Sequence, residues 1–439
     1  MISLEKIQDK QSLRSSDLKQ SLRFSPATAI LNIRKNLVVY YLILAGFLIR
    51  LIFATFPGFH VDTDTFFAWA VRAFDLGLPN FYSKDVWTNY TPGMIYLLYL
   101  LGAIRELFSI SDQYFHFVLK IPSIISDLIL SYFVYKVLTK TVSQKLALYG
   151  LAFCLFNPVL IFNASIWGAF DGFMTLFLFL SIYYLAQRKL ILASIFFGIS
   201  ILVKPQAIAI APVFWLWLLK HFSIQRALKL SVPGFLAIML LSVPYFPSDP
   251  IFGFFNLFIQ MAQDYKGNSL FAYNLWGIFG FWIDDGTMLG FLSYRVWGII
   301  LMTSFWLFFF YVFFKKKIID VYILATLGFL AFFFLPTRVH ERYLFSAIPF
   351  LILISIYLRS RVLVISTSLL SVLHTINLYY VYIYYNEFYL KLPKVLYIPG
   401  FYEGLESYGK LLSAISTLIF IVIIITISKI VIRKKYEHF

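Results

Sequence analysis

Between two apolar runs, Ile318–Leu335 and Leu344–Leu358, the chain reads Pro336-Thr337-Arg338-Val339-His340-Glu341-Arg342-Tyr343. Arg338, His340, Glu341 and Arg342 crowd an edge where each ionised group costs roughly 2.5 kcal/mol or more if left in lipid. Charges kept at that cost mark a candidate site, and two guanidiniums beside an imidazole suit an anionic, phosphate-bearing ligand. The ordinary alternative is an ion-pair knot, with Glu341 serving Arg338 or Arg342 and His340 bonding a neighbouring helix. A second candidate follows the first apolar run, in Phe59-His60-Val61-Asp62-Thr63-Asp64-Thr65-Phe66. A carboxylate at a membrane–water boundary can take the proton of a hydroxyl, and partial desolvation makes it more basic. The alternative is that Asp62 or Asp64 caps the amphipathic run Phe66–Leu76. Two acids two residues apart allow both roles.

Three further patterns carry possible chemistry. Asn157-Pro158 leads to Trp167-Gly168-Ala169-Phe170-Asp171, where Trp167 suits an interfacial belt or a platform for a sugar ring. Asp171 suits the cap of the apolar run after it. Lys204-Pro205-Gln206 sets a lysine between two apolar stretches with a helix-breaking proline beside it. That lysine either snorkels to the interface or meets a phosphate. No P-loop, nucleophile elbow or H-E-x-x-H zinc motif is present: His340-Glu341 lacks a second histidine at the needed spacing.

The elements that must position these residues are membrane helices. Of 439 residues, 61% are hydrophobic and 13% charged, against roughly 25% charged in soluble domains. This is an all-α polytopic membrane protein. The single cysteine, Cys154, excludes an intrachain disulfide framework and a multi-cysteine metal site. The net charge of +16 sits in short clusters between apolar spans, which argues for membrane topology and against nucleic acid. Residues 1–35 read as a basic cytoplasmic tail, and residues 36–435 as one transmembrane domain with no separate soluble domain.

The first span is Asn36–Phe56, followed by a first outer loop over 57–91. Residues 92–108 number about 17, the lower limit for a span. Reading them as an interfacial helix puts every later basic cluster on the cytoplasmic side: Lys136 to Lys145, Arg188–Lys189, Lys220 to Lys229, Lys315–Lys317, Arg359 with Arg361, and Arg433–Lys435. About twelve spans then result, with both termini cytoplasmic. The segments without basic clusters, Pro57–Thr91, Asn163–Asp171, Lys204–Gln206, Pro247–Gly290, Thr337–Arg342 and Tyr382–Tyr408, all fall on the outer face, where they either line one cavity or serve as plain connections.

The ordered set of motifs resembles the GT-C fold glycosyltransferases, and most of all the prokaryotic mannosyltransferases related to the second mannosyltransferase of GPI-anchor synthesis. The resemblance covers roughly residues 40–360. It rests on Asp62 with Trp69-Ala70, Phe81-Tyr82, Tyr90-Thr91-Pro92, Asn157-Pro158, Trp167-Gly168-Ala169-Phe170-Asp171, Lys204-Pro205-Gln206 and Val339-His340-Glu341-Arg342-Tyr343. Thr91, Ala169 and Val339 depart from the family's proline, glutamine and methionine; the lost glutamine bears most on the Trp-Gly segment.

The resemblance implies a GT-C-like bundle with interfacial helices in the first outer loop, a polyprenyl-phosphate-linked sugar as donor, and chemistry on the non-cytoplasmic face. Asp62 is then the base, supported by Asp64. Lys204, Arg338 and Arg342 hold the donor phosphate. Trp167, Asp171, Gln206, His340, Glu341 and Tyr343 bind or orient the substrates. A phosphate is already a good leaving group, so inverting transfer needs one base and a cationic clamp. No cofactor is expected, with weak divalent-metal binding between Asp62 and Asp64 left open. The partners are the lipid-linked donor, membrane lipid and an acceptor that is a glycolipid, a polysaccharide or a protein. The rival classes are a lipid-linked glycan flippase or transporter, which needs mid-span charges along a path between the faces, a glycan ligase, and an inactive scaffold.

Overall fold

The computed structural model describes residues 26–83, 86–261, 263–315 and 320–433. The apolar runs fold as helices α1 (Pro26–Ala54), α2 (His60–Leu76), α3 (Pro92–Leu107), α4 (Asp112–Leu138), α5 (Gln144–Leu155), α6 (Asp171–Ala186), α7 (Leu190–Val203) and α8 (Ala211–His221). Then come α9 (Ile224–Ser242), α10 (Pro250–Met261), α11 (Tyr294–Lys315), α12 (Val321–Phe334), α13 (Ala347–Tyr357), α14 (Arg361–Ile383) and α15 (Phe401–Arg433). The described strands are one hairpin, Met288–Leu289 against Leu292–Ser293.

Among the described residues, seven helical stretches are long and apolar enough to cross a membrane: Leu37–Ala54, Asp112–Leu138, Gln144–Trp167, Ile224–Ser242, Tyr294–Lys315, Arg361–Tyr389 and Phe401–Val431. The chain is an all-α membrane protein. The shorter helices α6, α7 and α12 are also strongly apolar. α13 is buried at every position from Ala347 to Ile356, which marks it as a helix packed on all sides at the centre of the bundle.

Local chemistry sets the breaks. Ser143, Ser223, Asp320 and Ser360 accept backbone N–H groups at the starts of α5, α9, α12 and α14. Asn157 does the same for the turn Pro158–Ile161, with Pro158 in the first helical position. Its side-chain amide also reaches Ser371 at 3.0 Å, so Asn157-Pro158 is a structural joint. α7 stops at Val203 because Lys204 precedes a proline and is extended, with φ −148° and ψ 133°.

Several boundaries differ from the sequence reading. The first helix starts at Pro26, so residues 26–35 are helical ahead of the span that begins at Leu37. Residues 1–25, Lys84, Asp85, Lys316, Lys317 and 434–439 lie outside the described residues. α2 begins at His60, ahead of both acids, so neither Asp62 nor Asp64 caps it. Asp171 likewise lies inside the first turn of α6. The stretch expected as a connection over Tyr382–Tyr408 is largely ordered: a π-turn, Tyr384–Tyr389, extends α14, and α15 starts at Phe401.

The helix that carries Asp62 lies tightly on α3. A Cβ added to Gly102 would sit 2.4 Å from the Ala70 carbonyl oxygen and 3.1 Å from Phe74 Cβ. Gly102→Ala must therefore push α2 and α3 apart, at a cost of about 1–3 kcal/mol. A thermal melt in detergent should show a lowered midpoint. Gly404→Ala, with nothing within 4 Å of its added Cβ, should leave the midpoint unchanged or slightly raised.

Candidate active site

A cavity opens where segments far apart in the chain meet. Phe59, Asp62, Trp87, Asn89 and Tyr90 come from the first loop, Lys204 and Gln206 from the break after α7, and Tyr265, Phe271 and Trp282 from the region after α10. His340, Glu341, Arg342 and Tyr343 follow α12, and Tyr385 comes from the π-turn after α14. Trp167 reaches the same wall through its bond to Asp62. Five of the six segments expected on one face thus line the cavity, and the sixth, Asn163–Asp171, stands behind its wall. The lining is rich in aromatic rings with a few charged groups among them, a combination that suits a polar ligand with apolar ring faces.

Asp62 stands in the first turn of α2, with its side chain 15% exposed. Trp167 Nε1 donates to Asp62 Oδ2 at 2.7 Å, and Arg342 Nη1 donates to the same oxygen. Oδ1 takes no bond from the described residues. Trp167 is fully buried, stacked on Phe59 at 4.0 Å, with the Arg342 guanidinium 5.4 Å over its ring. It is neither a belt residue nor an exposed sugar platform: it holds the carboxylate. Gly168 ends its π-turn with φ 82°, and a Cβ there would press on Thr63 and Lys120.

Arg342 is also paired with Glu341, Nε to Oε1 at 3.3 Å, although that N–H has no aligned acceptor. Burial works against the Arg342 charge, but Asp62 and Glu341 outweigh it and hold the group protonated. Burial likewise acts to raise Glu341, yet His340 and Arg342 keep its carboxyl below the usual range. His340 packs edge-on against Tyr265 at 4.7 Å, and its backbone bridges Leu270 and Phe271. Lys204 donates to Asp171 Oδ1 at 2.6 Å, with the two side chains 3% and 2% exposed, and lies 5.2 Å from the Tyr90 ring centroid. Asn163 completes Asp171 at 3.0 Å. Asp171 therefore serves Lys204 and stands behind the cavity wall. Gln206 and Tyr343 line the cavity directly.

Two expected site residues stand elsewhere. Asp64, two positions along a helix from Asp62, points away from the cavity and is 57% exposed. It accepts from His60 at 3.1 Å and His116 at 2.9 Å. Asp62 and Asp64 thus share no site, and among the described residues no group of three or more His, Cys, Asp or Glu converges as metal ligands. Arg338 is held by Asp285, Nε to Oδ2 at 2.7 Å and Nη2 to Oδ1 at 3.2 Å. That bidentate bond raises its pKa further. Its backbone is left-handed, φ 64°, which turns the side chain out of line with Arg342. Arg338 instead lines an adjoining cavity that shares Asn89, Gln206, Tyr265 and Tyr343 with the first.

No protein-family model matches the chain. No curated protein matches it. The site must be judged on its own geometry.

Sequence reasoning missed the buried polar groups behind the cavity. Arg50 and Asp127 form an ion pair at 3.5 Å with both side chains fully buried, and Lys120 is 1% exposed. A charge inside an apolar run is the signal that finds them. Arg50 and Asp127 line neither of these cavities.

Proposed function

We propose that the chain is an integral-membrane glycosyltransferase of GT-C type. It moves a sugar, mannose by the resemblance, from a polyprenyl-phosphate donor to an acceptor hydroxyl on the non-cytoplasmic face, with inversion. The observation that carries this reading is the convergence of five distant polar segments on one aromatic cavity, with the Asp62 carboxylate in its wall and cationic Arg342 and Lys204 beside it.

In the proposed reaction Asp62 takes the proton of the acceptor hydroxyl as its oxygen bonds to the anomeric carbon. The bond from that carbon to the phosphate oxygen breaks, and polyprenyl phosphate leaves with the electron pair. Arg342 meets the developing phosphate charge, supported by Lys204. Trp167 keeps the carboxylate aimed. Arg338, tied to Asp285 outside the main cavity, has no part in this clamp. Proposed roles for Gln206, His340, Glu341 and Tyr343 are to contact the sugar or orient Arg342.

The proposed topology keeps about twelve spans: α6, α7, α8, α12 and α13 join the seven long stretches. α2, α3 and α10 then lie at the interface, and both termini are cytoplasmic by the charge bias. A flippase or transporter needs charged groups along a continuous path, whereas the buried Arg50–Asp127 pair lines neither cavity. The test is to incubate purified protein with a panel of polyprenyl-phosphate sugars and a hydroxyl acceptor extract. Consumption of one donor with release of polyprenyl phosphate is the expected result. Passage of an intact lipid-linked sugar across vesicles without cleavage would replace it with the transporter reading.

A further inference from the structure

The backbone between α1 and α2 is held by side chains from distant parts of the fold. Ala54 and Phe56 carbonyls, at the open end of α1, accept from Lys120 Nζ at 3.1 and 2.6 Å. The Pro57 carbonyl accepts from the Tyr382 hydroxyl at 2.8 Å. Asn386 bridges the next turn: its Nδ2 donates to the Gly58 carbonyl at 2.8 Å, and its Oδ1 accepts from the His60 N–H at 3.0 Å. The Phe59 N–H donates to the Trp167 carbonyl at 2.8 Å, and the Phe59 carbonyl accepts the Asp62 and Thr63 N–H groups, each at 2.9 Å. Lys120, Tyr382 and Asn386 are 2% exposed or less.

Two π-turns, Phe162–Trp167 and Tyr384–Tyr389, supply the partners Trp167 and Asn386. Such turns break regular helix bonding and recur at functional sites. Here both serve the same short loop, which ends one turn before Asp62.

We propose that Lys120, Tyr382 and Asn386 are positioning residues: a buried collar that fixes the Ala54–His60 backbone and so sets where the Asp62 carboxylate stands relative to Trp167 and the cavity. This rests on the glycosyltransferase reading for the role of Asp62. None of the three lines the main cavity, so they act through the backbone and not on a ligand. A carboxylate misplaced by about 1 Å can lose about a hundredfold in rate, so a loop that must hold it has reason to be tied at nearly every carbonyl.

The experiment uses the full chain with Asn386→Ala, Asn386→Asp, Lys120→Met and Lys120→Arg. Hydrogen exchange over residues 57–64 is measured together with kcat and KM for whichever donor the wild type consumes. The expected result is local exchange about tenfold faster, a change of the size one lost hydrogen bond gives. kcat should fall about 10- to 100-fold while KM for the donor holds within about twofold. Asn386→Asp, which keeps the acceptor for His60 N–H, and Lys120→Arg should each recover part of the loss. Should Asn386→Ala not fold, Tyr382→Phe removes one hydroxyl, keeps the ring and reads the same two quantities. The collar is overturned if exchange at 57–64 stays unchanged, or if kcat and KM shift together with faster exchange throughout the chain. A wild type that consumes none of the donors overturns the glycosyltransferase reading instead, and the local exchange then decides the collar by itself.

Discussion

Asp62→Asn is expected to lower sugar transfer about 10²- to 10⁴-fold, the usual worth of a positioned general base, while the purified protein melts and binds donor much as before. The fold has little reason to fail. The side chain is partly open to the cavity, Trp167 Nε1 can donate to an amide oxygen in the same place, and Arg342 keeps Glu341 as its counter-charge. What the amide cannot do is accept the acceptor's proton. Turnover under saturating donor measures the loss, and donor binding measured separately shows whether the site survives. Unimpaired transfer by a well-folded Asp62→Asn protein would remove Asp62 as the base.

The second large effect concerns stability. Lys204→Met should destabilise the protein by about 3–5 kcal/mol, because it strands the Asp171 carboxylate in a dry interior with only Asn163 for company. Asp171→Asn should do similar harm by leaving the ammonium unpaired. Combining the two removes both charges, and the double variant should recover most of the stability in a thermal or denaturant melt. That recovery makes the double variant a clean probe of binding. Donor affinity well below wild type assigns Lys204 to the phosphate as well as to Asp171; unchanged affinity makes it a strut.

Much of this site could be read from the chain alone. The charge pattern groups six polar segments on one face; five of them line the cavity, and the sixth touches it only through the bond from Trp167 to Asp62. Composition gave the helices. The failures were of direction. Arg338 and Arg342 are four apart and would share one face of a helix, but the left-handed Arg338 and the bridged His340 send them to different cavities. The resemblance puts Asp64 in support of Asp62, yet α2 already runs by His60 and a two-residue step turns them apart. Asn386 and Tyr382 lie in a segment whose sequence fits either a cavity wall or a plain connection. Their partners lie more than 300 residues away in the chain, and no local pattern announces a side chain that serves another segment's backbone.

The pairing of the cavity's cations has one more consequence. Arg342 is already answered by Asp62 and Glu341, and Lys204 by Asp171, three carboxylates against two cations, so these groups leave no spare positive charge. An anionic guest would add to the negative charge of partly buried carboxylates, where uncompensated charge is costly. It must bring its own remedy: a proton for one of the displaced carboxylates, or a cation from solution. Occupancy and proton uptake then become one linked equilibrium, and the acidity of the surrounding compartment would act on this chamber as a co-ligand.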